Sequence, residues 1–181
     1  METRKKCITL VLGGVRSGKS RYAQRVASCF ERVTVIATAR PVDSEMRAKI
    51  SQHRRKRPAG WKTVEAPLKL SKAIDLESQQ ADVLLVDCLT LFVANVMGAT
   101  NGAKKAPRKR IDHVCEAIRA SKASIVVVSN EVGGGVVPAF RSGRIYRDLL
   151  GQMNQQVAEI ADKVILMVAG VAVTVKECAA N

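Results

Sequence analysis

The feature that most restricts this chain is the run Gly13-Gly14-Val15-Arg16-Ser17-Gly18-Lys19-Ser20. It follows the apolar segment CITLVL at residues 7–12 and leads into a helical pattern at residues 19–30, with Ala23, Val26, Ala27 and Phe30 on one face. The spacing G-x-x-x-x-G-K-S between a strand and a helix is that of a phosphate-binding turn. Successive backbone N–H groups and the first turn of the helix form a nest for anions. Glycine lets the backbone curl around an oxyanion without Cβ clashes. Lys19 is placed to reach the outer phosphates of a nucleotide, and the Ser20 hydroxyl to hold Mg2+. Such a turn hangs from a buried strand, which commits the chain to an α/β arrangement.

The rest of the sequence keeps that promise by alternating short β-branched runs with helical patterns. Strands are predicted at residues 33–38 (VTVIAT), 61–66, 83–87 (VLLVD) and 124–129 (SIVVVS), and a closing pair at 163–169 and 171–176 turns at Gly170. A helix is predicted from Asp43 or Ser44, either of which can cap it, to about Arg57, with Met46, Ile50 and His53 along one side. Pro58 and Gly60 end it. Further helices are expected at 68–77, opened by Pro67, and at 90–97, 111–121 and 144–161. Residues 98–110 read as a polar surface loop, and residues 131–143 as a Gly-rich loop long enough to carry function. Strands that are apolar on both faces imply a mostly parallel sheet covered on both sides. With 181 residues and no visible linker, one domain over residues 1–181 is expected.

Charge bears on what such a domain binds. Lys and Arg number 30 against 16 Asp and Glu, a net charge of +14. That excess points first to nucleic acid, but aromatic residues are only 3%, too few for a base-stacking platform, and no nucleic-acid module is recognisable. No specific nucleic-acid partner is therefore expected. The cysteines, Cys7, Cys29, Cys88, Cys115 and Cys178, are odd in number and form no C-x-x-C pair. Reduced thiols and a cytoplasmic location follow as expectations. The apolar run after Arg4, Lys5 and Lys6 is too short for a signal peptide, and residues 164–175 are too short to cross a bilayer.

Two further positions attract chemistry. Asp87 ends a buried strand, where a carboxylate suits the second half of an Mg2+–nucleotide site, acting with Ser20 partly through water. The alternative is a cap on the following helix. His53 sits in the most basic stretch, with Arg47, Lys49, Arg54, Arg55, Lys56 and Arg57 nearby. That stretch reads either as a solvated helix face or as a second anion site. An imidazole among cations is suited to attack phosphorus, because the cations attract the phosphate and stabilise developing charge. His113, the only other histidine, has no such company and reads as surface.

In order and over nearly the whole chain, six segments resemble one family. They are LGGVRSGKSRYA at 12–23, IATARPVDSEMRAKI at 36–50, HRRKRPAGWKTVEAP at 53–67, LLVDCLTLFVANVM at 84–97, VSNEVGGGVVP at 128–138 and YRDLLGQMNQQVA at 146–158. The family is the bifunctional adenosylcobinamide kinase/adenosylcobinamide-phosphate guanylyltransferases of cobalamin biosynthesis. The resemblance implies a P-loop NTPase (RecA-like) three-layer sandwich, with a mostly parallel sheet and a C-terminal antiparallel hairpin.

It also implies two reactions. A nucleoside triphosphate, ATP or GTP, phosphorylates adenosylcobinamide. GTP then transfers GMP to a histidine and onward to adenosylcobinamide phosphate, giving adenosylcobinamide-GDP. The family's nucleophile falls on His53, three residues after Ile50, and Lys19 joins it as a catalytic residue. Nucleotide contacts carry over to Gly13, Gly14, Val15, Arg16, Ser17, Gly18, Lys19, Ser20, Thr38, Ala39, Arg40, Arg54, Arg55, Lys56, Arg57, Glu65 and Asp87. Glu65 can accept from guanine N1–H and N2–H2, or is an ordinary strand-end acid. Mg2+ falls to Ser20 and Asp87, and a homotrimer is implied. The stretch from Asn130 to Gly135, at the C-terminal edge of a buried strand, is expected near the corrinoid or the phosphate, with no role in catalysis assigned to it. The basic run AKKAPRKR at 103–110 departs from the family and has no assigned role. Two other readings stay open: a small-molecule kinase without guanylyl transfer, and a nucleic-acid-dependent NTPase.

Overall fold

The structure is a computed structural model that describes residues 5–55, 57–100 and 105–177. Elements follow in the order β1 (Ile8–Gly13), α1 (Lys19–Ala27), β2 (Val33–Ala37), α2 (Ser44–Arg55), β3 (Lys62–Glu65), α3 (Leu70–Glu77), β4 (Val83–Asp87), α4 (Leu89–Ala99), α5 (Lys105–Ala120), β5 (Ser124–Val128), α6 (Arg141–Ile160), β6 (Lys163–Val168) and β7 (Val171–Glu177). The sheet order is β3-β2-β4-β5-β1-β6-β7. Every pairing is parallel except β6 with β7. The α/β three-layer sandwich with its antiparallel C-terminal hairpin is thus as expected.

The apolar strands divide their side chains between two faces because successive residues point to opposite sides. Leu10, Ile36, Leu84, Val86, Ile125 and Val127 meet Leu70, Ile74, Phe92, Ile118, Leu150 and Met153 from α3 to α6. On the other face Val11, Val35, Leu85, Val126, Ile165 and Met167 meet Ala23 and Ala27 of α1, with Tyr22, Val26 and Trp61 beside them. Burying each large aliphatic or aromatic side chain contributes about 1.5–3 kcal/mol. Helix α2 is the exception, since none of its residues is buried. Met46 and Ile50 are only half-buried, so α2 stands as a wall at the sheet's edge rather than as a covering layer.

Several boundaries differ from the sequence reading, each for a local reason. Pro67 does not open α3; the helix starts at Leu70, and Lys69 is its N-cap. Asp43, not Ser44, caps α2, its carboxylate accepting from the Met46 N–H at 2.6 Å. The stretch read as a loop at 98–110 is partly helical. Helix α4 runs to Ala99, where Thr100 returns its hydroxyl to Val96, and α5 begins at Lys105. Polar content hid this start, because exposed Arg108, Lys109 and Arg110 lie opposite buried Pro107, Ile111 and Val114. Helix α6 begins at Arg141, three residues early, held by Arg144 donating to the carbonyls of Pro138 and Ala139. The β6–β7 turn places Ala169 and Gly170 at φ 49° and 88°, the two positive values of a tight hairpin. Arg4, Lys56, Ala103, Lys104 and Cys178 lie outside the described residues. Among the described residues, no helix is long and apolar enough to cross a membrane.

Candidate active site

The turn after β1 has the backbone its sequence demands. Gly13 and Gly18 take φ values of 147° and 97°, and Arg16 is left-handed at 58°. A Cβ on Gly13 would lie 2.5 Å from the carbonyl oxygen of Met167, so no side chain fits there. The turn is tied to its neighbours by the Glu131 N–H donating to the Gly13 carbonyl at 3.1 Å and the Gly170 N–H donating to the Ser17 carbonyl at 3.0 Å. The buried Lys19 side chain folds back, donating to the Gly14 carbonyl and, at 3.4 Å, to the Ser17 hydroxyl. Burial holds the Lys19 ammonium below its usual value, offset in part by the Cys88 and Asp87 side chains.

A cleft of about 1490 Å3 opens beside this turn. One wall is the turn and the start of α1, with Val15, Arg16, Ser17, Gly18, Lys19 and Ser20. The facing wall is α2, with Arg47, Lys49, His53, Arg54 and Arg55, and the floor carries Ala39, Glu65, Asp87 and Asn130. Nearly all the nearby cations therefore face one space, the electrostatic setting for a polyphosphate.

Asp87 is the junction. Its carboxylate oxygen Oδ2 lies 3.6 Å from His53 Nδ1 and 3.5 Å from Arg57 Nη2. The Asp87 and Arg57 side chains are 15% and 8% exposed, so this pair is sheltered, whereas His53 is 46% exposed and open to the cleft. Arg57 also donates to the Thr63 hydroxyl at 3.4 Å, and its buried Nε–H has no partner among the described residues. Glu65 faces Arg54 at 4.0 Å. The thiol beside Asp87, Cys88, is pushed up to about 11 by burial and by the Asp87 charge, which keeps it protonated near neutrality.

Not every expected contact residue faces the cleft. Thr38 is fully buried and its hydroxyl is occupied. It donates to the Cys88 carbonyl at 2.6 Å and accepts from the Cys88 N–H at 2.9 Å, while the Thr38 N–H donates to the Asp87 carbonyl at 3.1 Å. Thr38 thereby holds the Asp87–Cys88 segment in place. Arg40 is exposed and outside the cleft lining, and Lys56 is not described. Gly13 and Gly14 line a second, smaller hollow of about 440 Å3 that adjoins the turn. Val15, Arg16 and Ser17 border both spaces.

Supporting residues were less visible in the sequence. Asn95 donates its amide to the carbonyls of Thr38 and Pro67, at 2.7 and 3.2 Å. Its signal is a lone amide on the otherwise apolar helix LTLFVANVM. The Asn130 backbone is clamped twice, its N–H donating to Thr90 Oγ1 at 2.9 Å and its carbonyl accepting from Asn154 Nδ2 at 3.0 Å.

For Mg2+, the Ser20 hydroxyl and Asp87 carboxylate are hard oxygen donors at one cleft, which fits a small divalent cation completed by phosphate and water. Among the described residues no cluster of three or more His, Cys, Asp or Glu side chains is arranged to hold a metal alone.

A family model described as cobinamide kinase / cobinamide phosphate guanyltransferase matches residues 9–175. The bifunctional adenosylcobalamin biosynthesis protein CobU of Escherichia coli K12 is 38% identical over 178 residues, covering 92% of this chain and 98% of that protein. The bifunctional adenosylcobalamin biosynthesis protein CobP of Pseudomonas aeruginosa PAO1 is 40% identical over 168 residues, covering 92% and 96%. Among solved structures, a prototypical ATPase from the type III secretion system of pathogenic bacteria superposes with a TM-score of 0.55 at 11% identity. That match covers 93% of this chain but only 56% of the ATPase. A structural-project protein from Pyrococcus horikoshii OT3, PH0250, gives 0.55 at 8% identity, covering 94% of this chain and 86% of that one. Likeness at such identities speaks to the fold alone.

Proposed function

The chain belongs to the cobinamide kinase / cobinamide phosphate guanyltransferase family, and from that premise we propose how its residues divide two reactions. It is a bifunctional enzyme of cobalamin biosynthesis. It phosphorylates adenosylcobinamide from ATP or GTP, then moves GMP from GTP onto the phosphorylated product to give adenosylcobinamide-GDP. The observation that carries the residue assignment is the single cleft with the phosphate turn on one wall and His53 on the other, joined at Asp87.

In the first reaction the amides of the turn and Lys19 hold the triphosphate. The acceptor hydroxyl attacks the γ-phosphorus, a new O–P bond forms, and the bond to the β-phosphate oxygen breaks. Binding of the triphosphate draws Lys19 from the Gly14 carbonyl to the phosphate oxygens, where its charge stabilises the transition state. Ser20 and Asp87 would hold Mg2+, which neutralises phosphate charge when bound.

In the second reaction a nitrogen of His53 attacks the α-phosphorus of GTP, and pyrophosphate leaves. The phosphate of the acceptor then attacks the same phosphorus and the N–P bond breaks. His53 Nδ1 faces Asp87, which leaves Nε2 as the attacking atom. Arg54 and Arg55 line the cleft beside it and meet the developing charge, and Arg57 steadies Asp87. Glu65 reads the guanine edge. The whole chain acts as one domain, in the cytoplasm, as a homotrimer.

The test is incubation with α-labelled GTP. Protein-bound label that is acid-labile, alkali-stable and lost in His53→Ala is the expected result. Label retained by His53→Ala removes His53 as nucleophile. Absence of label on the parent enzyme leaves a kinase alone. Subunit mass by light scattering checks the trimer.

A further inference from the structure

The smaller hollow has a different chemistry from the cleft. The cleft is lined by Arg16, Lys19, Arg21, Arg47, Lys49, Arg54, Arg55 and Arg57. Around the hollow there is one cation, Arg16, and one carboxylate, Glu131; the rest is Ser17, glycines of the turn and of the stretch after Glu131, and apolar surface from Val15 and from Leu166 to Ala169. A second polyphosphate would find a single cation beside a carboxylate there, whereas an uncharged alcohol needs no counter-charge. The surroundings are apolar as well. Val15 and Val168 border the hollow and are 82% and 54% exposed, and the chain after Gly135 turns out Val136 at 96% and Phe140 at 81%.

Glu131 is set up as a base at this place. Its own N–H is fixed to the first residue of the turn, through Gly13. Its Oε1 accepts from the Gly133 N–H at 2.7 Å, which orients the carboxylate. Among the described residues it has no ion pair, unlike the two carboxylates of the cleft, Glu65 and Asp87. The residue following Asp87 is Cys88, so β4 offers no second acid for the task. The hollow and the cleft share Val15, Arg16 and Ser17, so an alcohol lodged in the hollow stands beside the phosphate cradle.

We propose that this hollow receives the alcohol arm of the corrinoid acceptor, and that Glu131 takes the hydroxyl proton during phosphoryl transfer. The inference rests on the kinase reading above. As the acceptor oxygen bonds to the γ-phosphorus, its proton passes to the Glu131 carboxylate. The bond from the γ-phosphorus to the β-phosphate oxygen breaks, and the nucleoside diphosphate leaves. The macrocycle lies outside the hollow, on the side where the chain continues from Gly135 to exposed Val136.

Two variants test this on the whole enzyme, with adenosylcobinamide and α-labelled GTP as probes. Glu131→Gln keeps the size and the acceptor oxygen for Gly133, and should lower kcat for phosphorylation by about 10²–10⁴-fold. Gly135→Trp fills the hollow; a Cβ there meets nothing within 4 Å, so the backbone accepts it. It should raise KM for adenosylcobinamide by about tenfold or more. In both variants, labelling by GTP reports an intact cleft. Phosphorylation near the parent rate in Glu131→Gln overturns the base. Unchanged KM for the acceptor in Gly135→Trp, or a raised KM for the nucleotide instead, overturns the site. Loss of labelling together with phosphorylation overturns both, because the hollow would then serve the nucleotide. Failure of the underlying kinase reading shows separately, as a parent enzyme that does not phosphorylate adenosylcobinamide.

Discussion

His53 Nδ1 lies 3.6 Å from the same Asp87 oxygen that Arg57 Nη2 approaches at 3.5 Å. The acid at the end of β4 therefore touches the tip of α2, a helix with no buried residue of its own. In the proposed division of residues, this contact links the two half-reactions through one carboxylate. Asp87→Asn should lower both phosphorylation and histidine guanylylation by about 10²-fold, since it removes the proposed Mg2+ ligand and the carboxylate that faces the imidazole. The two rates, measured separately on the same preparation, check it. Full labelling in Asp87→Asn would show that His53 does not depend on this neighbour.

Lys19→Met should reduce kcat/KM for phosphorylation by about 10²–10³-fold, the usual cost of losing one donor to developing phosphate charge. Folding should be nearly unaffected. The lysine is held below its ordinary value by burial, and among the described residues its side-chain bonds go to Gly14 and Ser17 within its own turn. A melting temperature within a few degrees of the parent, beside the lost turnover, is the expected pair of results.

Gly13 and Gly133 make a contrasting pair. Gly13→Ala places a Cβ 2.5 Å from the Met167 carbonyl at a φ of 147° and should cost about 1–3 kcal/mol in a urea titration. In Gly133→Ala the only atoms met are those of the Glu131 carboxylate, at 2.8 Å from Oε1, so the side chain swings away and the fold survives. Stability should hold to within about 0.5 kcal/mol while adenosylcobinamide phosphorylation falls.

Asp82 pins the start of β4 to the start of β2. Its carboxylate accepts from the Arg32 backbone N–H at 2.9 Å and from the Arg32 guanidinium. The Arg32 bonds hold the Asp82 carboxyl below its ordinary value of 3.8. A depressed carboxyl contributes stability that is present above 3.8 and lost as the pH falls through the lower folded value. The parent should therefore exceed Asp82→Asn in stability at neutral pH, with the gap closing below about pH 4. The pair is exposed, so added salt should narrow the gap as well. Unfolding curves at several pH values decide this.

Asn95→Ala should destabilise by about 1–3 kcal/mol, because the carbonyls of Thr38 and Pro67 lose their shared donor. It should also lower both activities, because Thr38 is what holds the Asp87–Cys88 segment.

The sheet was legible because its strands are short, β-branched and apolar on both faces, and each falls within a residue or two of its expected span. The phosphate turn was legible because its glycines answer a backbone requirement, seen in the positive φ of Gly13 and Gly18. Helix starts were less so. The first turn of α5 is polar and carries Pro107, and the first turn of α6 is held by Arg144 on two carbonyls, which no local pattern announces. The site divides similarly. Residue types singled out Lys19, His53 and Asp87, which the fold brings to one cleft, but burial decides which neighbours line it. Thr38 and Arg57 look like ligand residues in sequence. Three-dimensional placement adds a clamp on the Asp87–Cys88 segment at the first and a counter-ion for Asp87, still at the cleft, at the second. Asn95 and Asn154 act across long sequence separations that periodicity does not encode.

The position of β5 between β1 and β4 works as a ruler. Val128 pairs with Val11 on one side and with Asp87 on the other. Two interstrand steps, about 9–10 Å, therefore separate the strand that carries the phosphate turn from the strand that carries the acid. Hydrogen-bonded strands do not stretch, so this span is rigid and quantised. Substitution can change which groups stand at its two ends. Only gaining or losing a whole strand would alter its length, in increments of about 4.8 Å.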